Sequence, residues 1–139
     1  MHRARISGPV LDRFDLVLSV DPLNKDELLG PPDGERSSDI RARVEAARSI
    51  QLDRYGSSSI SNSCGPQAAV EEIVRLSRSI RARIGRAIDH DRLSARGMVR
   101  TLRVARTIAD LAGSQAVTDE HVAEALGLRP PRAEASLSA

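Results

Sequence analysis

A short apolar run near the start of the chain gives way to apolar positions recurring at helical spacing. "GPVLDR" reads as a single helical turn, with Pro9 in the favoured first position. "FDLVLSV" follows, residues 14–20. It is short, β-branched and aliphatic, which predicts a buried strand, and Asp21-Pro22 ends it. "GPPDGERSS" has the composition of a linker. Ser38 is a plausible N-cap, and Ile40, Val44, Ala47 and Gln51 predict a helix over 39–54, closed by Gly56. After a polar loop over 56–66, Val70, Ile73, Val74, Ser77, Ile80, Ile84, Ala87 and Ile88 form a second stripe, with a candidate break at Gly85. Ser94 caps a third helix that buries Met98, Leu102, Ala105, Ile108, Ala109 and Ala112 and stops at Gly113. Thr118 caps a last short helix, "DEHVAEAL", ended by Gly127, and "RPPRAEASLSA" reads as a disordered tail.

One strand and about four helices make an odd inventory. A lone strand cannot pair its own N–H and C=O groups, so it must join a sheet that this chain barely contains. The predicted helical core is Ile40, Val44, Val70, Ile73, Ile80, Ile84, Leu102, Ala105, Ile108, Val122 and Leu126. Phe14, Leu16 and Leu18 lose a covering sheet, each forgoing roughly 1.5–3 kcal/mol.

Composition sharpens this picture. The 139 residues suffice for one modest domain, and with only one Phe and one Tyr the core must be aliphatic and alanine-rich. Net charge is only +2, yet Lys25 is the sole lysine, so the cations are arginines, suited to carboxylates and phosphates. Codon bias towards Arg and Ala is the plain alternative. The single cysteine, Cys64, rules out an internal disulfide and a cysteine-type zinc site and is read as incidental. "HRARIS" after Met1 has no apolar core of a signal peptide, and no uncharged run reaches membrane-spanning length, so a cytoplasmic protein without membrane contact is expected.

Two stretches carry a family resemblance. "RARISGPVLDRFDLVLSV" resembles the segment after the nucleotide-binding core of magnesium-chelatase-like AAA+ ATPases. "LSARGMVRTLRVARTIADLAGSQAVTDEHVAEAL" resembles the last two helices of their lid domain. The similarity runs from Arg3 to Leu128 and is closest to the ComM/YifB branch. It implies a mainly α fold: an AAA+ C-terminal helical lid bundle, preceded by one strand and a short helical turn left over from the α/β ATPase core. The implied divisions are 1–23 for the end of that core, 24–38 for a linker, 39–128 for the lid and 129–139 for the tail. Family members use ATP and Mg2+ in a hexameric ring, and the branch is linked to DNA branch migration in natural transformation. By resemblance, Arg13 in "LDRFD" is the arginine finger, reaching the γ-phosphate of a neighbouring subunit. Arg96 in "LSARG" is sensor 2, a lid arginine on the phosphate of its own core, with Arg100 the alternative.

Chemistry agrees with those roles. A phosphoryl-transfer transition state spreads negative charge over its equatorial oxygens, and an inserted arginine can contribute on the order of 10³-fold or more in rate. Asp12 and Asp15 flank Arg13 and could orient it, or simply form a surface ion pair with it. Arg96, Arg100 and Arg103 share a helix face, which a solvated basic stripe would also explain, and Arg103 or Arg106 is placed to bond Asp110 or a neighbouring helix. Arginines of the middle helix could instead touch nucleic-acid phosphate, against Glu71 and Glu72 on the same helix.

The 139 residues hold no G-x-x-x-x-G-K-S/T phosphate loop, and both Asp-Glu pairs, 26–27 and 119–120, lie in polar surroundings rather than at a strand end. Alone, the chain is therefore expected not to hydrolyse ATP or to hold it tightly. Three functions follow: a lid-and-finger fragment of a ComM-like ATPase, a separate adaptor docking on an AAA+ core, or a small helical DNA-binding module.

Overall fold

The computed structural model describes residues 13–31, 34–66, 77–90 and 93–129. Five helices occur among them: α1 (Lys25–Leu29), α2 (Ser37–Tyr55), α3 (Arg78–Asp89), α4 (Ala95–Leu111) and α5 (Asp119–Gly127). Their packing centres on α4, which lies against both α2 and α5, while α3 packs on α5.

Capping chemistry sets most helix ends. Ser77, Ser94 and Thr118 each accept a hydrogen bond from the backbone N–H three residues on, in Ile80, Gly97 and His121. Thr118 forms a reciprocal box, its own N–H bonding back to the His121 ring. Gly56 and Gly113 end α2 and α4 at φ 65° and 66°, the left-handed region that glycine enters without strain. α3 runs through Gly85 without a break, and α5 includes Gly127 and ends at Leu128. Ser38 lies inside α2 rather than capping it. Arg36 holds the cap position, and the Ser38 hydroxyl bonds the adjacent Asp39 carboxylate instead.

The core joins Ile80 and Ile84 of α3 to Leu93, to Leu102, Ala105 and Ala109 of α4, and to Val117, Val122 and Ala125 around α5. Ile108, Met98 and Leu126 pack at its margin. The small residues on α4 let its neighbours approach closely, as an aromatic-poor core requires. Arg83 ties α3 to the first turn of α5 by donating to Asp119.

Ile40 and Val44 do not join this core; they are 44% and 46% exposed. In α2 only Ala47 and Gln51 are buried, so the helix meets the bundle through its C-terminal half and an alanine and polar face. The i, i+4 stripe begins too early to reach α4. Ala112, expected inside, caps α4 in an exposed position. The expected linker contains the short helix α1, opened by the Asn24 side chain accepting from Asp26 N–H at 2.9 Å. Val70, Ile73, Val74 and the tail from 130 onwards lie outside the described residues, as does the turn before Arg13.

Among the described residues there is no strand. Residues 14–20 form no ladder, because nothing described offers a partner edge. Phe14, Leu16, Leu18 and Val20 are all exposed, whereas Val17 is half-buried and donates its N–H to Leu128 O at 2.9 Å.

Candidate functional site

The arginines of α4 share a face by spacing but do not share a fate. Ser94 and the buried Gly97 fix the first turn. A Cβ on Gly97 would come within 3.1–3.2 Å of Arg129, Leu93 and Ser94 side-chain atoms, so the turn is closely packed. Arg96 stands exposed on it, and its side chain bonds no described residue. No acidic residue lies in that turn. A cation there opposes the positive end of the helix dipole, so an anion supplied from elsewhere would be favoured.

One turn on, Arg100 is engaged. Its Nη1 donates to the carbonyl oxygen of Arg13 and lies 3.2 Å from Asp15 Oδ1. Asp15 therefore pairs with Arg100, not with the guanidinium of Arg13, which is exposed and unpaired among the described residues. Asp12 lies outside them. Arg103 donates to Ser63 O and, at 2.9 Å, to Gly65 O, pinning the polar loop after α2. Gly65 packs closely there, and a Cβ would sit 3.1 Å from the Tyr55 side chain, which would have to shift by a few tenths of an ångström.

Arg106 is enclosed at 2% exposure and bonds Asp110 Oδ1 at 3.0 Å, Gln115 O at 2.8 Å and Ser114 O at 2.5 Å. Asp110 also receives both Arg54 donors, at 2.8 and 2.5 Å, and Asn62 Nδ2 at 2.8 Å. Burial pushes the Asp110 carboxyl up, but hydrogen bonds from Arg54 and Asn62 and the charge of Arg106 outweigh it and hold it below the ordinary value. Hydrogen bonding to Asp110 raises Arg54, while burial lowers Arg106. This knot of Arg54, Asn62, Arg106 and Asp110 joins α2, its following loop and the end of α4. The Arg106–Asp110 bond follows from the spacing; Arg54 and Asn62 were not foreseen. The signal was Asp110 itself, a carboxylate within the apolar face of a helix.

Cys64 is exposed, and hydrogen bonds from Ser61 lower its thiol from the ordinary value. Among the described residues no three His, Cys, Asp or Glu side chains gather as a metal site, and no helix is long and apolar enough to cross a membrane.

A helical bundle whose capped central helix carries these arginines matches a known domain. The family model for the magnesium chelatase subunit ChlI C-terminal domain matches residues 34–129, and the chain belongs to that family. It is 39% identical over 126 residues to the competence protein ComM of Haemophilus influenzae, covering 90% of this chain and 24% of that protein. It is 35% identical to YifB of Escherichia coli over 127 residues, covering 90% of the chain and 24% of YifB, and 36% identical to Mb2921c of Mycobacterium bovis over 131 residues, covering 92% and 25%. The chain thus spans about a quarter of the length of the curated relatives it matches.

Proposed function

We propose that this chain supplies the helical lid and a trans-acting arginine of a ComM-like, magnesium-chelatase-related AAA+ ATPase. The observation that carries the reading is the contrast among arginines. Among the described residues Arg13 and Arg96 stand exposed without a carboxylate partner, while Arg100, Arg103 and Arg106 are each tied within the chain. On this reading residues 1–23 close the ATPase core, 24–38 link it to the lid and 39–128 form the lid.

Arg13 is the finger for a neighbouring subunit's nucleotide, and Arg96 is the sensor on phosphate. The Asp15 pair on Arg100 favours Arg96 over Arg100 for that role. The donor set fits phosphate oxygens. The phosphate loop and the carboxylates that hold Mg2+ come from an AAA+ core outside these residues. Bound there, ATP supplies the transferable phosphoryl group. Arg13 offsets charge on its oxygens, and Arg96 orients it. Residues 14–20 become a strand only against the sheet of that core. Partners are therefore core and neighbouring subunits in a ring. DNA remodelling enters through the family resemblance alone.

Two measurements test the reading. The purified chain should show no ATP turnover above background, and measurable turnover overturns it. In a full-length relative, replacing the arginine of the "LDRFD"-like motif by alanine should cut hydrolysis about 10³-fold while nucleotide still binds. Unchanged hydrolysis would show that the arginine is not a finger.

A further inference from the structure

The chain is held against the bundle at residues 13, 15 and 17. The Arg13 carbonyl and the Asp15 carboxylate both meet Nη1 of Arg100, and Val17 N–H meets Leu128 O at 2.9 Å. Between them, Phe14 and Leu16 are 49% and 46% exposed. Arg100 therefore grips the main chain of Arg13 itself and the side chain two residues on, leaving the Arg13 guanidinium outward. It does so from a stiff mount. α4 is capped by Ser94 and buried through Leu102 and Ala105, and Arg96 lies one turn before Arg100 on the same helix, about 6 Å along its axis.

We propose that Arg100 is a positioning residue for Arg13, and that α4 thereby couples the two exposed arginines. A displacement of α4 that moves Arg96 carries the Arg13 segment with it. This rests on the reading of Arg13 as a phosphate-facing group. Arg100 touches no phosphate on this account; its Nη1 is engaged by a carbonyl and a carboxylate of its own chain. The consequence is separable. Loss of a phosphate ligand weakens nucleotide binding, whereas loss of a clamp misplaces Arg13 and lowers the rate at unchanged binding, because sub-ångström placement decides such contributions.

The test has two arms. In this chain, amide exchange of Val17 is compared between the native protein, Arg100→Ala and Asp15→Ala. The exposed Asp15 serves as the second variant because its replacement leaves the helical core intact. Exchange should quicken roughly ten-fold in Arg100→Ala and by less in Asp15→Ala. Unaltered exchange in both overturns the clamp. In a full-length relative with arginine and aspartate at the matching places, each alanine variant should lower kcat roughly ten-fold or more with KM for ATP unchanged. The double variant should be no worse than the arginine variant alone. Raised KM from the arginine variant, with the aspartate variant silent, makes Arg100 a phosphate ligand and overturns the proposal. If the Arg13→Ala counterpart leaves kcat unchanged, the finger reading falls, and Val17 exchange still decides whether Arg100 holds the segment.

Discussion

Arg54 and Asp110, 56 residues apart, face each other through two parallel hydrogen bonds of 2.8 and 2.5 Å. The contact fastens α2 to α4, and Asp110 at the same time balances Arg106, whose side chain is nearly sealed from water. Removing the carboxylate strands two cations, one of them buried. Asp110→Ala should cost on the order of 3–5 kcal/mol, the usual consequence of breaking a buried pair on one side. Arg54→Ala should cost less, about 1.5–3 kcal/mol, since Asp110 keeps Arg106 and Asn62. Urea denaturation of both variants checks the order, and equal losses would mean that Asp110 does not act through Arg106.

Acid should unpick the same knot. The folded-state pKa of Asp110 lies below its unfolded value of about 3.9. The stability it contributes is therefore fully present above about pH 4 and is lost as pH falls through the folded value. The stability gap between the native chain and Asp110→Asn should narrow on acidification below about pH 4. Asp119, lowered by its hydrogen bond and charge contact with Arg83 at the surface, adds an acid-sensitive contribution that salt screens. Added salt should flatten that part and leave the Asp110 part, which denaturation series at low and high salt would separate.

Helix existence was legible because caps and breakers act locally. Ser94, Thr118, Gly56 and Gly113 do in the fold what their chemistry indicates in isolation. The inward face of α2 is the one its spacing indicates, since Ala47 and Gln51 of the stripe are the residues that α2 buries, beside the bonding Arg54. How far along the helix that contact extends was less legible, and Ile40 and Val44, earlier on the same stripe, remain exposed. The arginines of α4 illustrate the same limit. Spacing places Arg96, Arg100 and Arg103 together, but their partners lie at Asp15 and at Ser63 and Gly65, separations that no local pattern encodes.

The Thr118 cap offers a small, clean check on local chemistry. Its hydroxyl accepts from His121 N–H while the His121 ring accepts from Thr118 N–H. Thr118→Ala removes the first bond and should cost about 0.5–2 kcal/mol. Because Thr118 is exposed, no cavity cost is added. A loss well above that range in thermal or urea unfolding would mean that the α5 entry carries tertiary load beyond its cap.

By contrast, the uncovered row of Phe14, Leu16, Leu18 and Val20 should be nearly silent in this chain. Leu18 is 68% exposed and Val20 90%, so replacing Leu18 and Val20 by serine removes little buried surface and should alter stability by no more than about 0.5 kcal/mol each. The same pair of changes should act strongly where the segment is completed as a strand. Against a sheet, Leu18 and Val20 each regain roughly 1.5–3 kcal/mol of burial, and serine forfeits it. In a full-length relative, serine at the matching positions should lower the unfolding temperature and weaken assembly. In the isolated chain the unfolding midpoint should not move. A large loss of stability in the isolated chain would show that the row already packs on the bundle and has no sheet to find. Silence in both settings would show that the row is never covered.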